Sequence, residues 1–84
     1  MTNEEIEKFL AKQQVNENQQ VKIMFKKRNT LVGIFIKGND YAELKSKNFW
    51  RIVTGQHVEG WLTSKNMNNA RIFSGAEFSS LAVK

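Results

Sequence analysis

Apolar residues near the start of the chain are spaced three and four positions apart, as they are on one side of a helix. Thr2 and Glu5 precede them with the spacing of a capping box, in which each side chain accepts a hydrogen bond from the backbone amide of the other residue. The pattern predicts an N-terminal helix over residues 3–14. Its apolar side consists of Ile6, Phe9 and Leu10.

From Val21 onward the spacing of apolar residues changes to two, which is typical of a strand with one buried face. The run LVGIFI, residues 31–36, is apolar at nearly every position, which predicts a central strand covered on both faces. Gly33 interrupts this run, and a glycine inside a strand often marks a bend or a bulge. The stretch FWRIVT, residues 49–54, again places two apolar side chains on each face, so both faces of the sheet are expected to be shielded from water.

Shorter signals follow these runs. Residues 41–44 and 70–73 have the composition of strands, whereas residues 58–62 fit a single helical turn. Residues 76–83 fit either a short strand or a helical turn. The chain is therefore predicted to contain one helix followed by about five short strands.

Turn signals separate the predicted strands. Asp40 closes the sequence KGND, which is typical of a turn in which the carboxylate accepts backbone amides. Ser74 and Gly75 predict a sharp bend. Short strands with apolar residues on both faces favour a small closed barrel over a flat sheet. We therefore predict a single, mainly β domain over residues 1–84, in which a strongly bent five-stranded barrel of residues 21–83 follows the N-terminal α-helix.

Composition limits the class of protein. The chain has 84 residues, of which 40% are hydrophobic and 25% charged, as in ordinary soluble globular domains. It has no cysteine, which excludes a disulfide, a thiolate metal site and a cysteine nucleophile. The first residues lack the basic and apolar regions of a signal peptide, and no run approaches the roughly 18 apolar residues of a membrane span. We expect a cytoplasmic protein without a membrane partner.

Charge divides the chain into an acidic leader and a basic body. Residues 1–20 carry four Glu against two Lys, a net charge of −2, whereas residues 21–84 carry eleven Lys or Arg against four Asp or Glu, a net charge of +7. A cationic body favours polyanionic partners such as RNA or an acidic protein surface. Charge that serves only solubility is the alternative interpretation.

Groups that could support catalysis are sparse. His57 is the only histidine, whereas zinc sites usually have three or four His or Cys ligands. The chain contains neither a GxSxG nucleophile elbow nor a glycine-rich phosphate loop. We therefore predict a protein that is not an enzyme and has no metal and no cofactor.

Basic residues at two turns are the candidates for binding. Lys26, Lys27 and Arg28 form the densest cluster, and Lys45 and Lys47 flank a second turn. If both turns lie on one rim of the barrel, they can contact the phosphates of a nucleic acid. A solvated loop without a ligand is the alternative for each cluster.

Three aromatic residues, Tyr41, Trp50 and Trp61, are candidates for stacking against bases. Trp50 lies in a predicted strand and is expected to belong to the core. Trp61 lies between polar segments, which makes it the better candidate for a partly exposed contact. Arg51 is expected at a sheet edge, with its aliphatic stem packed and its charged head in water.

The order of these elements resembles that of the Sm-like (Hfq-type) proteins. The segments that carry the resemblance are the N-terminal helix, VKIMFKKRNTLVGIFI, DYAEL, FWRIV and RIFSG. The resemblance implies an SH3-like barrel whose identical subunits form a ring, in which the fourth strand of one subunit pairs with the fifth strand of the next. It also implies that the ring binds uridine-rich or adenosine-rich single-stranded RNA near its pore.

Four positions can be compared with the motifs of that family. Gly33 and Asp40 match its strand-two glycine and its loop aspartate. Glu43 stands where the family has an RNA-contacting Asn, and Ser74 stands where it has Arg or Lys. A carboxylate repels phosphate and a serine supplies no cation, so the resemblance supports the fold more directly than the RNA site.

Two hypotheses of function follow. In the first, the chain is an Sm-like binding protein that self-associates as a homo-oligomer and binds single-stranded RNA through its basic turns. In the second, it is a protein interaction module with an SH3-like barrel and no nucleic-acid binding, whose acidic helix or Trp61 loop docks a partner protein. The second hypothesis expects that removal of residues 1–14 abolishes partner binding and leaves the barrel folded.

Overall fold

The N-terminal helix, α1 (Asn3–Lys12), begins with the predicted capping box in the computed structural model, which describes residues 1–16 and 18–84. The hydroxyl of Thr2 accepts a hydrogen bond from the amide of Glu5 at 3.2 Å, and the carboxylate of Glu5 accepts one from the amide of Thr2 at 2.8 Å. The bonds from Thr2 hold the pKa of Glu5 below its ordinary value.

Helix α1 ends two residues before the predicted end. Gln14 has a left-handed backbone with φ of 51°. The amide of Val15 donates to the carbonyl of Leu10 at 3.0 Å, and the amide of Gln14 donates to the carbonyl of Ala11 at 3.2 Å. This is the bonding of a Schellman motif, and Val15 packs against the core beside it.

Five strands form one antiparallel sheet, which confirms the mainly β prediction. Its order is β4-β3-β2-β1-β5, so β4 and β5 are the two edges. The strands are β1 (Gln20–Phe25), β2 (Leu31–Phe35), β3 (Phe49–Thr54), β4 (Arg71–Ser74) and β5 (Phe78–Val83).

The sheet is strongly curved. Side chains from two strands that are not neighbours in the sheet therefore contact each other. The ring centroids of Phe25 in β1 and Phe73 in β4 lie 5.9 Å apart, although β2 and β3 separate these strands. The pairing of β1 with β5 shifts after Met24, and such a bulge bends a strand. The prediction of a closed barrel is nevertheless wrong. Strand β4 pairs only with β3, and β5 pairs only with β1, so β4 and β5 form the two edges of the sheet and do not pair with each other. The 3₁₀ turn Gly75–Glu77 connects them.

Both faces of the sheet are covered, as predicted. Helix α1 packs on one face, where its residues Ile6 and Leu10 join the larger core. The other face is covered by helix α3 (Val58–Ser64) through Trp61. The buried residues of the larger core are Ile6, Leu10, Val21, Ile23, Phe25, Phe35, Trp50, Ile52 and Phe78, and those of the smaller core are Ile34, Ile36, Val53 and Trp61.

The strand predicted at residues 41–44 is wrong, because these residues form helix α2 (Tyr41–Ser46). Asp40 occupies the N-cap position of the helix, and the amide of Leu44 donates to its carbonyl at 2.9 Å. The segment AELKS consists mainly of good helix formers, and Glu43 and Lys45 lie at the ends of the helix dipole that suit their charges.

The remaining short elements are close to their predictions. The helical turn predicted at residues 58–62 is α3, and the strand predicted at 70–73 is β4, displaced by one residue. Of the two alternatives for residues 76–83, the structure has a strand, β5. None of the helices in the two described segments is long and apolar enough to span a membrane.

Two glycines allow backbone and side chains to approach closely. Gly33 is in regular register with Val21 and with Thr54, so β2 has no bulge at this position. A Cβ atom at this position would lie 2.7 Å from the carbonyl oxygen of Val53, which explains the glycine instead. Gly75 starts the 3₁₀ turn after β4, as the predicted bend requires, and a Cβ atom there would collide with the side chain of Asn48.

Candidate functional site

A cleft of about 530 Å³ lies at the end of the sheet where the turn between β1 and β2 meets the connection from β3 to α3. We call it the basic cleft, because it brings together two arginines and a histidine that come from three separate segments. These residues are Arg28, His57 and Arg71, and Phe73 and Glu77 line the same cleft.

Aromatic rings hold Arg28 in place. Its guanidinium carbon lies 5.0 Å from the ring centroid of Phe25 and 5.9 Å from that of Phe73. Cation–π contacts of this kind orient the guanidinium without neutralising its charge. Arg28 forms no ion pair with any described carboxylate, so its positive charge is available to an anionic ligand.

The other residues reach the cleft from the sheet. Arg71 begins β4 and pairs with Ile52 of β3, which places it at the end of the sheet that also carries Thr54. His57 ends the 3₁₀ segment Gly55–His57 that follows β3. Neither Arg71 nor His57 belongs to a basic cluster in the sequence, so the sequence did not predict a binding role for either.

Lys26 and Lys27 lie in a smaller depression beside the basic cleft. This depression, of about 420 Å³, shares Arg28 and Glu77 with the cleft. Both lysines are exposed and neither has an ion-pair partner among the residues that the structure describes. The predicted cluster of Lys26, Lys27 and Arg28 is therefore part of one cationic surface with Arg71.

The second basic turn is separate from this surface, because Lys45 and Lys47 line neither the basic cleft nor the depression beside it. Lys45 and Lys47 lie in or directly after α2, which precedes Phe49 at the opposite end of β3. Lys45 forms an ion pair with Glu7 of α1, and this bond raises the pKa of the lysine. Lys47 pairs with Glu43 at 3.7 Å. Both cations are balanced by carboxylates of the same chain.

The two tryptophans are both buried. Trp50 is 1% exposed, as predicted for a core residue, and its indole nitrogen donates to Oδ1 of Asn48 at 2.8 Å. Trp61 is only 7% exposed, so the prediction of a partly exposed contact is wrong. Its polar neighbours in sequence lie on the outer side of α3, while the indole covers the sheet. Neither tryptophan lines the basic cleft.

Arg51 and Asp40 form a paired site that the sequence did not predict. Arg51 lies in β3, which has a neighbouring strand on each side, so its predicted place at a sheet edge is wrong. Its guanidinium donates to both carboxylate oxygens of Asp40, at 2.6 and 2.9 Å. The carboxylate of Asp40 accepts no cap bond from the amides of α2, and the hydrogen bonds from Arg51 are the main cause that holds the pKa of Asp40 below its ordinary value.

In comparisons with known proteins, no family model matches the sequence, no curated protein matches it and no solved structure matches its fold.

Proposed function

We propose that this chain is a non-enzymatic, Sm-like binding protein that binds single-stranded RNA at the basic cleft and self-associates through the edges of its curved sheet. One observation carries the proposal of RNA binding. Arg28, held over two aromatic rings, lies beside Arg71 and His57 without a carboxylate partner among the described residues. Proteins that bind single-stranded nucleic acids combine cations, which contact the phosphates, with aromatic side chains, on which the bases stack.

The parts of the cleft suit different parts of a nucleotide. Arg28 and Arg71 supply fork-shaped donors for phosphate oxygens, and Lys26 and Lys27 add cations along the adjacent surface. The half-buried ring of Phe73 and the guanidinium plane of Arg28 offer stacking surfaces. Glu77, the acidic residue of the lining, repels phosphate, so the backbone is expected on the side of the two arginines.

This assignment differs from the RNA site that the family resemblance implies. Glu43 and Ser74 are the positions of the family's RNA contacts. In this structure Glu43 is paired with Lys47 outside the basic cleft, whereas Ser74 lines the cleft but supplies no cation. The cations of the proposed site therefore come from the turn between β1 and β2 and from the start of β4, not from the family's motif positions.

Replacing Arg28 and Arg71 together by glutamine is expected to weaken binding of uridine-rich and adenosine-rich oligomers to a similar extent. Phosphate contacts carry no sequence information, and each one lost should lower the salt slope of the logarithm of the affinity by about 1. Fluorescence anisotropy with labelled oligomers at two salt concentrations measures both quantities.

The matched control for this experiment is the double variant of Lys8→Gln with Lys12→Gln, which removes the same charge from two exposed lysines of α1 that do not line the cleft. It should retain most of the affinity. No binding of the unaltered protein at low salt contradicts the RNA proposal, and an equal loss in both double variants contradicts the assignment to the basic cleft.

The proposal of self-association rests on the two edge strands. Ile72 in β4 is 51% exposed and Val83 in β5 is 41% exposed, and no other strand of the described chain covers either edge. Exposed apolar edges favour pairing with another chain. Ile72 also lines the basic cleft, so a subunit paired along β4 would extend that cleft.

Light scattering at high micromolar concentration is expected to show an oligomer that Ile72→Lys converts to a smaller species, because the new charge lies in the edge contact. Leu62→Lys is the control, since Leu62 is similarly exposed, at 45%, but lies on α3 away from both edges. A strict monomer for the unaltered protein contradicts self-association, and equal effects of the two variants contradict the edge assignment.

A further inference from the structure

A second and larger groove lies on the side of the molecule where α1, the segment between β2 and α2, and α3 meet. Its volume is about 840 Å³, which falls in the range of sites that bind small molecules. We call it the apolar groove. None of its lining residues belongs to the basic cleft.

The floor of the apolar groove is rigid and mainly hydrophobic. It includes four side chains that belong to the two cores and are less than one tenth exposed. They come from α1, from β2 and the residue that follows it, and from α3. Because each is fixed by core packing, the groove is formed before any ligand binds. The four residues are Leu10, Phe35, Ile36 and Trp61.

One cation of the groove is left without a balancing charge. Lys37 and Lys45 both line it, and their ammonium nitrogens lie 5.3 and 5.7 Å from the ring centroid of Tyr41. Lys45 is paired with Glu7, whereas Lys37 has no ion pair with a described carboxylate. The groove therefore combines an aromatic wall with one net positive charge.

Trp61 adds an unsatisfied donor. Its indole Nε1–H is buried and has no hydrogen-bond partner among the described residues. The indole of Trp50, in contrast, is bonded to Asn48. A buried donor without an acceptor is destabilising, and Trp61 lines the groove, so an acceptor that reached this nitrogen would form a bond that the free protein lacks.

We propose that the apolar groove binds one flat, mainly apolar small molecule that carries a single anionic group, with the anion beside Lys37 and the ring system against Tyr41 and Trp61. The charge selects the anion, and the aromatic walls select a planar body. The site is independent of RNA binding, because the two sites share no residue.

The test uses two probes that differ in charge, anionic 8-anilinonaphthalene-1-sulfonate and neutral N-phenyl-1-naphthylamine, titrated against the full chain. Saturable binding of one anionic probe per chain is expected. In a ¹H–¹⁵N spectrum the indole resonance of Trp61 should shift with saturation and that of Trp50 should not. Lys37→Gln should lower the affinity for the anionic probe by about 5-fold, because it removes one exposed charge contact. The affinity for the neutral probe should not change.

The control variant is Lys22→Gln, which removes an exposed lysine of β1 outside the groove. It should bind both probes as the unaltered protein does. Each of three results would overturn the proposal. The first is non-saturable binding, and the second is a shift of the Trp50 resonance without a shift of the Trp61 resonance. The third is an equal loss of affinity for the anionic probe in the two lysine variants. RNA affinity measured on Lys37→Gln should be unchanged, which separates failure of this site from failure of the basic cleft.

Discussion

Truncation of Trp50 to alanine is expected to lower the free energy of unfolding by about 3 to 5 kcal/mol. Trp50 is 1% exposed, and its ring packs edge-on against Phe35 and Tyr41, with centroids 5.9 and 6.1 Å away. The truncation removes these contacts and leaves Oδ1 of Asn48 without its donor. Since small domains have a total stability of about 5 to 15 kcal/mol, the variant should be largely unfolded in mild urea, as followed by circular dichroism.

The neighbouring residue supplies the control for this prediction. Phe49 points to the opposite face of β3 and is 38% exposed. Phe49→Ala should therefore cost less than about 1 kcal/mol, because exposed substitutions away from the core have small effects. Similar losses for the two adjacent aromatics would contradict the assignment of Trp50 to the core and, with it, the register of β3.

Periodicity along the chain was sufficient to predict the two-faced sheet, because it depends only on local alternation. In β3 the residues Trp50 and Ile52 face the larger core, and Val53 faces the smaller one, as the alternation in FWRIVT requires. Periodicity could not predict which element covers the second face of the sheet. Trp61 reaches that face only because α3 returns across the sheet, and its sequence neighbours are polar.

The error at residues 41–44 has a local cause. Four residues allow only two alternations, so a weak strand pattern cannot be told from one turn of helix by periodicity. The structure follows helix propensity there, and the half-buried ring of Tyr41 packs against Trp50 from the helix instead of from a strand.

The candidate site was only partly predictable for a different reason. Arg28 stands in a visible basic cluster, whereas His57 and Arg71 are isolated in sequence and reach the cleft through the register of β3 and β4. The neutralisation of Lys45 is equally invisible, because Glu7 lies in α1, far away along the chain. Charge counts along a sequence show which cations exist but not which of them are paired in the fold.

Substitution of Gly33 by alanine is expected to destabilise the sheet by about 1 to 3 kcal/mol, the usual cost of overpacking a filled site. The added Cβ would lie 2.7 Å from both the carbonyl oxygen of Val53 and Cγ2 of Ile52. The carbonyl belongs to the backbone of β3, so relief requires β2 and β3 to move apart at the middle of the sheet.

Gly60→Ala is the matched control, because it is the same chemical change at a site with room. The nearest atom to its added Cβ lies 3.5 Å away, and Gly60 is inside α3, where alanine is the better helix former. It should raise the free energy of unfolding by about 0.5 to 1 kcal/mol. The two Gly→Ala variants should thus shift the urea midpoint in opposite directions, and a neutral or stabilising effect at Gly33 would contradict the close approach of β2 and β3 that shapes the curved sheet.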